Sequence, residues 1–181
     1  STAEKISTSW SGKGAMMAWK VKTPNGFSSF AVSGGQAFTV LTREGKETLV
    51  ALDAKSGREL WNVVLNPADY GHSGGNAGAR NNNGGDGPRS TPSVDGGRVY
   101  VLSADLLLLC ADAKSGKTIW KHDILNEFGG EPIKWENAAS PLIDGNLVFA
   151  GGGGAGQSLL AFDKVTGKVV WKTATETITH A

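Results

Sequence analysis

The sequence predicts an all-β protein, a β-propeller of four-stranded antiparallel blades in which three blades are complete. Three observations carry that reading. An eleven-residue phrase occurs three times, from Ala51 to Trp61, Cys110 to Trp120 and Ala161 to Trp171, each following Ala/Cys-x-Asp-x-x-Ser/Thr-Gly-Lys/Arg-x-x-Trp. The copies recur every ~50–60 residues, about one supersecondary unit plus a variable loop. Upstream of every copy stand apolar, β-branched and aromatic runs separated by glycine turns, and helical periodicity is absent throughout.

Stacking the copies gives the elements in order. The first strands are Ser29-Phe30-Ala31-Val32, Thr91-Pro92-Ser93-Val94 and Ser140-Pro141-Leu142-Ile143. Each leads into a tight turn, Ser33-Gly34-Gly35, Asp95-Gly96-Gly97 or Asp144-Gly145-Asn146, where glycine supplies the positive φ that a hairpin needs. The second strands are Ala37 to Leu41, Val99 to Leu102 and Leu147 to Ala150; the third are Thr48 to Leu52, Leu107 to Ala111 and Ser158 to Phe162. The Asp-x-x-Ser/Thr-Gly segment then turns the chain, with Asp53, Asp112 and Asp163 capping local N–H groups and Gly57, Gly116 and Gly167 in the left-handed position. Each fourth strand carries the tryptophan. Four-stranded sheets are expected over 27–65, 89–125 and 138–173, with Met16 to Lys22 as an isolated outer strand around Trp19.

This phrase resembles the tryptophan-docking repeat of the pyrroloquinoline-quinone-like β-propellers, a family holding quinoprotein alcohol dehydrogenases and non-catalytic members. The resemblance covers roughly residues 16 to 181. It implies that Trp19, Trp61, Trp120 and Trp171 are buried docking residues, each packed on a neighbouring blade, and that the chain is periplasmic or extracellular. It also implies an eight-bladed ring. The organisation expected here is a lead with one outer strand (1–26), blade 1 (27–66), a crossing loop (67–88), blade 2 (89–125), a second crossing loop (126–137), blade 3 (138–174) and the start of a further blade (175–181). Propellers close with typically 4–8 blades, and an open arc leaves strand edges and apolar faces unpaired. The chain is therefore expected to be a fragment of a longer ring, or to self-associate, or to be completed by another polypeptide.

Composition narrows the partner classes. Eighteen basic against 17 acidic residues give no case for nucleic acid or an anionic membrane surface. No apolar run approaches a membrane span, and Leu106 to Leu109 reads as a buried strand. The single cysteine, Cys110, stands where the other copies have Ala51 and Ala161, and reads as a small buried hydrophobe. His72, His122 and His180 lack metal-ligand spacing. Asn81, Asn83 and Asp86 are hard oxygen donors without an EF-hand pattern. The run Gly151 to Gly154 lacks the Lys-Ser/Thr of a phosphate loop and reads as a flexible hairpin turn.

Function is expected on the loops that break the repeat. The segment from Asn66 to Pro88, rich in Asn and Gly, and the segment from Asn126 to Glu136 both cross from an outer strand to the next inner strand. The candidate ligand-binding residues are Arg89, Arg80, Trp135, Glu136 and Asn137. Stacking puts Phe27, Arg89 and Ala138 at one position near the channel mouth, and Arg89 alone is charged. Its planar donor fork suits carboxylates, so an acidic peptide or small anion is the expected partner, the alternative being an ion pair with Asp86 or Glu136. Trp135 reads as pinning its own loop or stacking on a ligand.

The quinoprotein branch implies an adjacent-cysteine disulfide beside pyrroloquinoline quinone, a calcium held by Glu and Asn, and an Asp base. Cys110 alone cannot form that disulfide, and Glu136 and Asn137 do not align with the family's metal ligands. A non-catalytic binding or scaffold module without a cofactor is the expected function. A fragment of a quinone- and calcium-dependent alcohol dehydrogenase is the alternative, and a purely structural repeat fragment is the third reading.

Overall fold

Alternation of small, apolar and β-branched residues between glycine turns builds three successive four-stranded meanders. The structure, a computed structural model, describes residues 12, 14, 16–24, 26–70, 86–131 and 136–173. Blade 1 holds β1 (Ala31–Ser33), β2 (Gln36–Arg43), β3 (Lys46–Asp53) and β4 (Glu59–Pro67). Blade 2 holds β5 (Ser93–Asp95), β6 (Arg98–Leu102), β7 (Leu107–Asp112) and β8 (Thr118–Asp123), followed by α1 (Ile124–Glu127). Blade 3 holds β9 (Leu142–Asp144), β10 (Leu147–Gly151), β11 (Leu159–Asp163) and β12 (Val169–Lys172). Strand order is sequential in each sheet and every pairing is antiparallel.

The core lies between blades. Phe38, Val40, Leu49 and Ala51 of blade 1 meet Val99, Val101, Leu109 and Ala111 of blade 2. The opposite face of blade 2, with Tyr100, Leu102, Leu108 and Cys110, meets Val148, Ala150, Leu160 and Phe162 of blade 3. Blade 2 is thus buried on both faces, which is why β6 and β7 read as unbroken apolar runs rather than alternating ones.

The repeated phrase acts as one device. In each copy the Asp side chain accepts from the N–H and hydroxyl of the Ser or Thr three residues on, at 2.6–2.8 Å. The following glycine has φ +71° to +74°. On that glycine lies the tryptophan of the preceding element: Trp19 on Gly57, Trp61 on Gly116, and Trp120 on Gly167. Each indole N–H also donates into the same turn, to Ala54, Ala113 and Lys164 carbonyls at 2.9, 3.1 and 3.2 Å. Opposite the tryptophans within their own sheets stand Ala51, Cys110 and Ala161, and each third–fourth strand pair shifts register just beyond that point. The small side chain leaves room for the indole, so Cys110 is there for its size.

A second row of contacts runs along the first strands. The Ser29 N–H donates to Thr91 Oγ1 at 3.1 Å, and the Thr91 N–H donates to Ser140 Oγ at 2.9 Å. These three residues occupy one repeat position. Each blade pair is held by indole-on-glycine near the outer strand and by N–H-to-hydroxyl at the inner strand.

Four expectations are corrected. Met16 to Lys22 is irregular rather than a strand, because no described strand lies beside it, although Trp19 makes the full contact with blade 1. Trp171 is 40% exposed and packs only within its own blade among the described residues, against Phe149 at 5.6 Å between ring centroids. One helical turn, α1, ends blade 2: the Asp123 side chain accepts from Asn126 N–H while Glu127 accepts from Asp123 N–H, a reciprocal cap. Finally, the Gly151 to Gly154 hairpin is interlocked rather than loose. Gly154 N–H donates to the Phe128 carbonyl at 3.0 Å, and a Cβ on Gly153 or Gly154 would collide with the Gln157 or Gly129 carbonyl.

A Cβ at Gly116 would sit 2.7 Å from the Trp61 ring, whereas one at Gly96 meets nothing within 4 Å; both positions have positive φ. Gly96→Ala therefore measures the backbone penalty alone, about 1 kcal/mol. Gly116→Ala adds displacement of the indole and is expected to cost ~2–4 kcal/mol more, approaching removal of a core aromatic. Chemical denaturation of the two variants reads the difference.

Candidate functional site on the crossing-loop face

In a four-stranded meander the segments that lead to the next blade leave on the side that carries the turns between second and third strands. That side gathers the β2–β3, β6–β7 and β10–β11 turns with both crossing segments. The Asp-x-x-Ser/Thr-Gly turns all lie on the opposite side.

Arg89 lies at the start of blade 2 on this face. Phe27 N–H donates to the Pro88 carbonyl at 2.8 Å, which ties the start of blade 1 to that of blade 2. The tie brings the Phe27 ring under the Arg89 guanidinium, 5.4 Å from its centroid, and Arg89 Nη1 donates to the Gly87 carbonyl at 3.4 Å. Phe27 remains half exposed. The arrangement presents a cation braced by an aromatic face, with donors left for an incoming acceptor.

Asn137 is buried and its amide is engaged on both sides. Its Nδ2 donates to the Ser103 and Ala139 carbonyls at 3.3 and 3.1 Å, and its Oδ1 accepts from Ala139 N–H at 3.2 Å. Glu136 is likewise buried, at φ 62°, Leu106 in the β6–β7 turn has the same φ and Glu44 in the β2–β3 turn has φ 51°, so three non-glycine residues on this face occupy the left-handed region among the described residues. Asn137 thereby anchors the second crossing segment to the β6–β7 turn. Arg80, Trp135, His72, His180, Asn81 and Asn83 lie outside the described residues.

Sequence reasoning missed Glu47. It stands in β3 with no exposed surface, at the repeat position occupied by Leu106 and Gln157 in the other blades. Tyr70 Oη donates to its Oε1 at 2.8 Å and Ala104 N–H to its Oε2 at 3.0 Å, while Thr42 Oγ1 lies 3.2 Å from the same tyrosine oxygen. The bridge joins blade 1, the first crossing segment and the β6–β7 turn of blade 2. Alongside it, Asn66 Nδ2 donates to Asp105 Oδ2 at 3.0 Å. In sequence Glu47 stands beside Arg43, Glu44 and Lys46, so nothing local set it apart from the charged turn.

Burial pushes the Glu47 carboxyl above the usual carboxylate range, against the opposing donation from Ala104 and Tyr70; the Asp105 charge adds to the rise and the Arg89 charge opposes it. Burial first, and then the Glu47 charge, hold the Tyr70 hydroxyl far above its ordinary range. Burial also pushes the Cys110 thiol up to about 12, consistent with an inert core residue.

Among the described residues, neither Asn137 nor Cys110 is placed to serve a quinone and calcium pair. Asn137 Oδ1 already accepts a backbone N–H and its side chain is enclosed, so it offers no free oxygen to a cation. Cys110 lies inside the core between blades 2 and 3. No group of three or more His, Cys, Asp or Glu side chains suited to a metal occurs among the described residues.

The fold and the threefold contact define the class: a segment of a β-propeller with pyrroloquinoline-quinone-like repeats. The profile of the family described as outer membrane protein assembly factor BamB matches residues 45–180, and the chain belongs to this repeat family. It is similar to the quinohemoprotein alcohol dehydrogenase ADH IIB of Pseudomonas putida, 30% identical over 129 residues, which covers 68% of this chain and 17% of that protein. It is also similar to the outer membrane protein assembly factor BamB of Nitrosomonas eutropha, 28% identical over 154 residues, covering 85% of this chain and 31% of that protein. The crystal structure of BamB from Moraxella catarrhalis superposes with a TM-score of 0.52 at 24% identity, over 82% of this chain and 36% of that one. The chain thus spans less than two fifths of each.

The raised Glu47 carboxyl sets a pH dependence whose sign is fixed. The fold favours the neutral acid, so this group's contribution to stability is full below the ordinary glutamate range and is lost as pH rises through the raised folded value. Asp53, Asp112 and Asp163 act in the opposite sense. Hydrogen bonds from Ser56, Ser115 and Thr166 lower them, so their contribution is present above the ordinary aspartate range and fades as pH falls through the lowered values. Glu47→Gln can keep both contacts, since the Tyr70 hydroxyl can reverse and donate to Thr42. It is expected to remove the loss between mildly acidic and neutral pH in denaturation curves. Glu47→Leu strands the Ala104 N–H and is expected to cost ~1–3 kcal/mol.

Proposed function

We propose that this chain is part of a non-catalytic propeller module that binds a protein or small-anion partner on its crossing-loop face, with an acidic peptide as the preferred class. The observation that carries the reading is the Arg89 guanidinium braced over Phe27 on a face whose neighbouring polar groups are tied into the scaffold. A rigid platform under a cation with remaining donors lowers the ordering cost of binding and favours bidentate carboxylate contacts. Arg80 and Trp135 belong to the same crossing segments in sequence and extend the proposed contact surface, whereas Glu136 is buried and serves the scaffold beneath it. Asn137 serves it by holding the second segment in place.

The module works without a resident cofactor and sits in the periplasm or outside the cell, a location supported by the family to which the repeat belongs. Its partially exposed end, with Trp171 and Leu142, is met by further blades of a longer chain or by self-association. The similarity to an alcohol dehydrogenase supports the shared repeat, and the engaged Asn137 oxygen weighs against carrying that chemistry onto these residues.

Titrating a capped tetra-aspartate peptide against the parent and Arg89→Ala, with folding checked by circular dichroism, tests the reading. Loss of at least about tenfold in affinity is expected, the scale of one charge-assisted contact. Equal affinity would remove Arg89 from the site, and quinone-dependent turnover of an alcohol by the purified chain would overturn the non-catalytic reading.

A further inference from the structure

The joint between blades has a donor half and an acceptor half, and the three blades carry an unmatched copy of each. In the donor half an aromatic of the second strand packs beside the tryptophan: Phe38 beside Trp61 and Tyr100 beside Trp120, at 5.8 and 5.9 Å between ring centroids. Blade 3 repeats it with Phe149 and Trp171 at 5.6 Å, opposite the small Ala161. Yet Trp171 rests on no turn among the described residues, and it stays 40% exposed beside exposed Leu142 and Leu159. The hydroxyl row stops at the same blade: Ser140 accepts from Thr91, and its own N–H meets no equivalent hydroxyl among the described residues. Blade 1 holds the matching acceptor half. The Ser29 hydroxyl stands where Thr91 and Ser140 accept, with no N–H donating to it among the described residues, and the Gly57 turn has the geometry of the other two. Trp19 closes that turn from chain that belongs to no sheet. Of the described residues from 16 to 24 it alone is not exposed, and Thr23 and Pro24 lie along the buried outward face of blade 1 at Thr39 and Leu41.

We propose that blade 3 of one copy docks on blade 1 of a second copy, with Trp171 displacing Trp19 from Gly57. The contact continues an interface already made twice within the chain. The incoming ring lies on the bare glycine, its N–H donates to the Ala54 carbonyl that Trp19 now holds, and the Ser140 N–H donates to the Ser29 hydroxyl. A second copy is the occupant the geometry selects, because the unmatched donor and the unmatched acceptor belong to the same sequence and to opposite sides of the three-blade unit. The exchange is uneven. The leaving stretch gives up one covered indole, whereas the incoming sheet buries Trp171 together with Leu142 and Leu159, so apolar surface is removed from water. Trp19 competes from within its own chain, which makes the exchange depend on protein concentration. The contact is head-to-tail, so each pair still offers one donor and one acceptor half to further copies. The inference refines the self-association named above and is independent of the anion site at Arg89.

Sedimentation velocity over a dilution series of the purified chain tests the exchange, with the parent, Trp171→Ala and Trp19→Ala each checked for folding by circular dichroism. The parent is expected to associate reversibly as concentration rises. Trp171→Ala is expected to weaken association by at least about tenfold, the scale of losing an aromatic anchor, and Trp19→Ala to strengthen it by a similar factor. Fluorine NMR of the parent labelled with fluorotryptophan keeps the test decisive if Trp19→Ala does not fold, since it follows both rings with neither removed. Trp19→Phe and Trp171→Phe assign the two signals, and the shift between light and heavy water reads their exposure. On association Trp171 is expected to lose that shift and Trp19 to gain it. Association that Trp171→Ala leaves unchanged, rings whose exposure does not exchange in the associated state, or a Trp19→Ala variant that folds and stays monomeric alongside a monomeric parent overturns the proposal and leaves the Trp171 face to a different partner.

Discussion

An indole laid on a glycine of the next blade's turn is the contact on which the rest of this structure depends. The turn must be closed by a residue with positive φ, and it must present no Cβ, because the ring occupies that space. One residue type meets both conditions. The Asp and Ser/Thr side chains fix the turn beneath it, and the indole N–H then bonds a carbonyl of that same turn. The Asp, Ser/Thr, Gly and Trp of the eleven-residue phrase serve this contact, as does the small residue opposite the tryptophan, which leaves the ring room to reach across.

The contact also explains where stability lies. Each blade is a thin sheet with no interior of its own, so burial is achieved between neighbours, and blade 2 is apolar on both faces for that reason. Two attachment points, the indole on glycine and the hydroxyl row through Ser29, Thr91 and Ser140, hold adjacent sheets at separated places. Blade 2 gains a further tie to blade 3 from His122, whose Nε2 lies 2.7 Å from the Gly167 carbonyl while its ring stacks on Phe162. With the sheets so held, the crossing segments are left to carry polar chemistry.

The sheets were legible in the sequence because their signals are local and repeated: glycine turns, short apolar runs and a tryptophan at constant register. What was hidden depends on long-range partners. Trp19 makes its contact without a strand because the contact needs only the turn around Gly57, not a sheet behind the ring. The role of Glu47 is set by neighbours far away in sequence, Tyr70 and the Ala104 N–H from another blade, which no local pattern announces. Gly151 to Gly154 looked loose because glycine runs often are, yet here the missing side chains let two backbones touch. Arg89 was picked out as the charged member of its repeat position, but its support from Phe27 required the tie between blade starts.

A double-mutant cycle between Trp61 and Gly116 tests the central contact most directly, using Trp61→Ala, Gly116→Ala and the pair in equilibrium denaturation. If the ring and the bare glycine act as one contact, the two losses are strongly non-additive, with a coupling of ~1–3 kcal/mol, because once the indole is gone the added methyl has only backbone strain to report. Additive losses would mean that the indole and the glycine stabilise the blades independently, and would contradict the account.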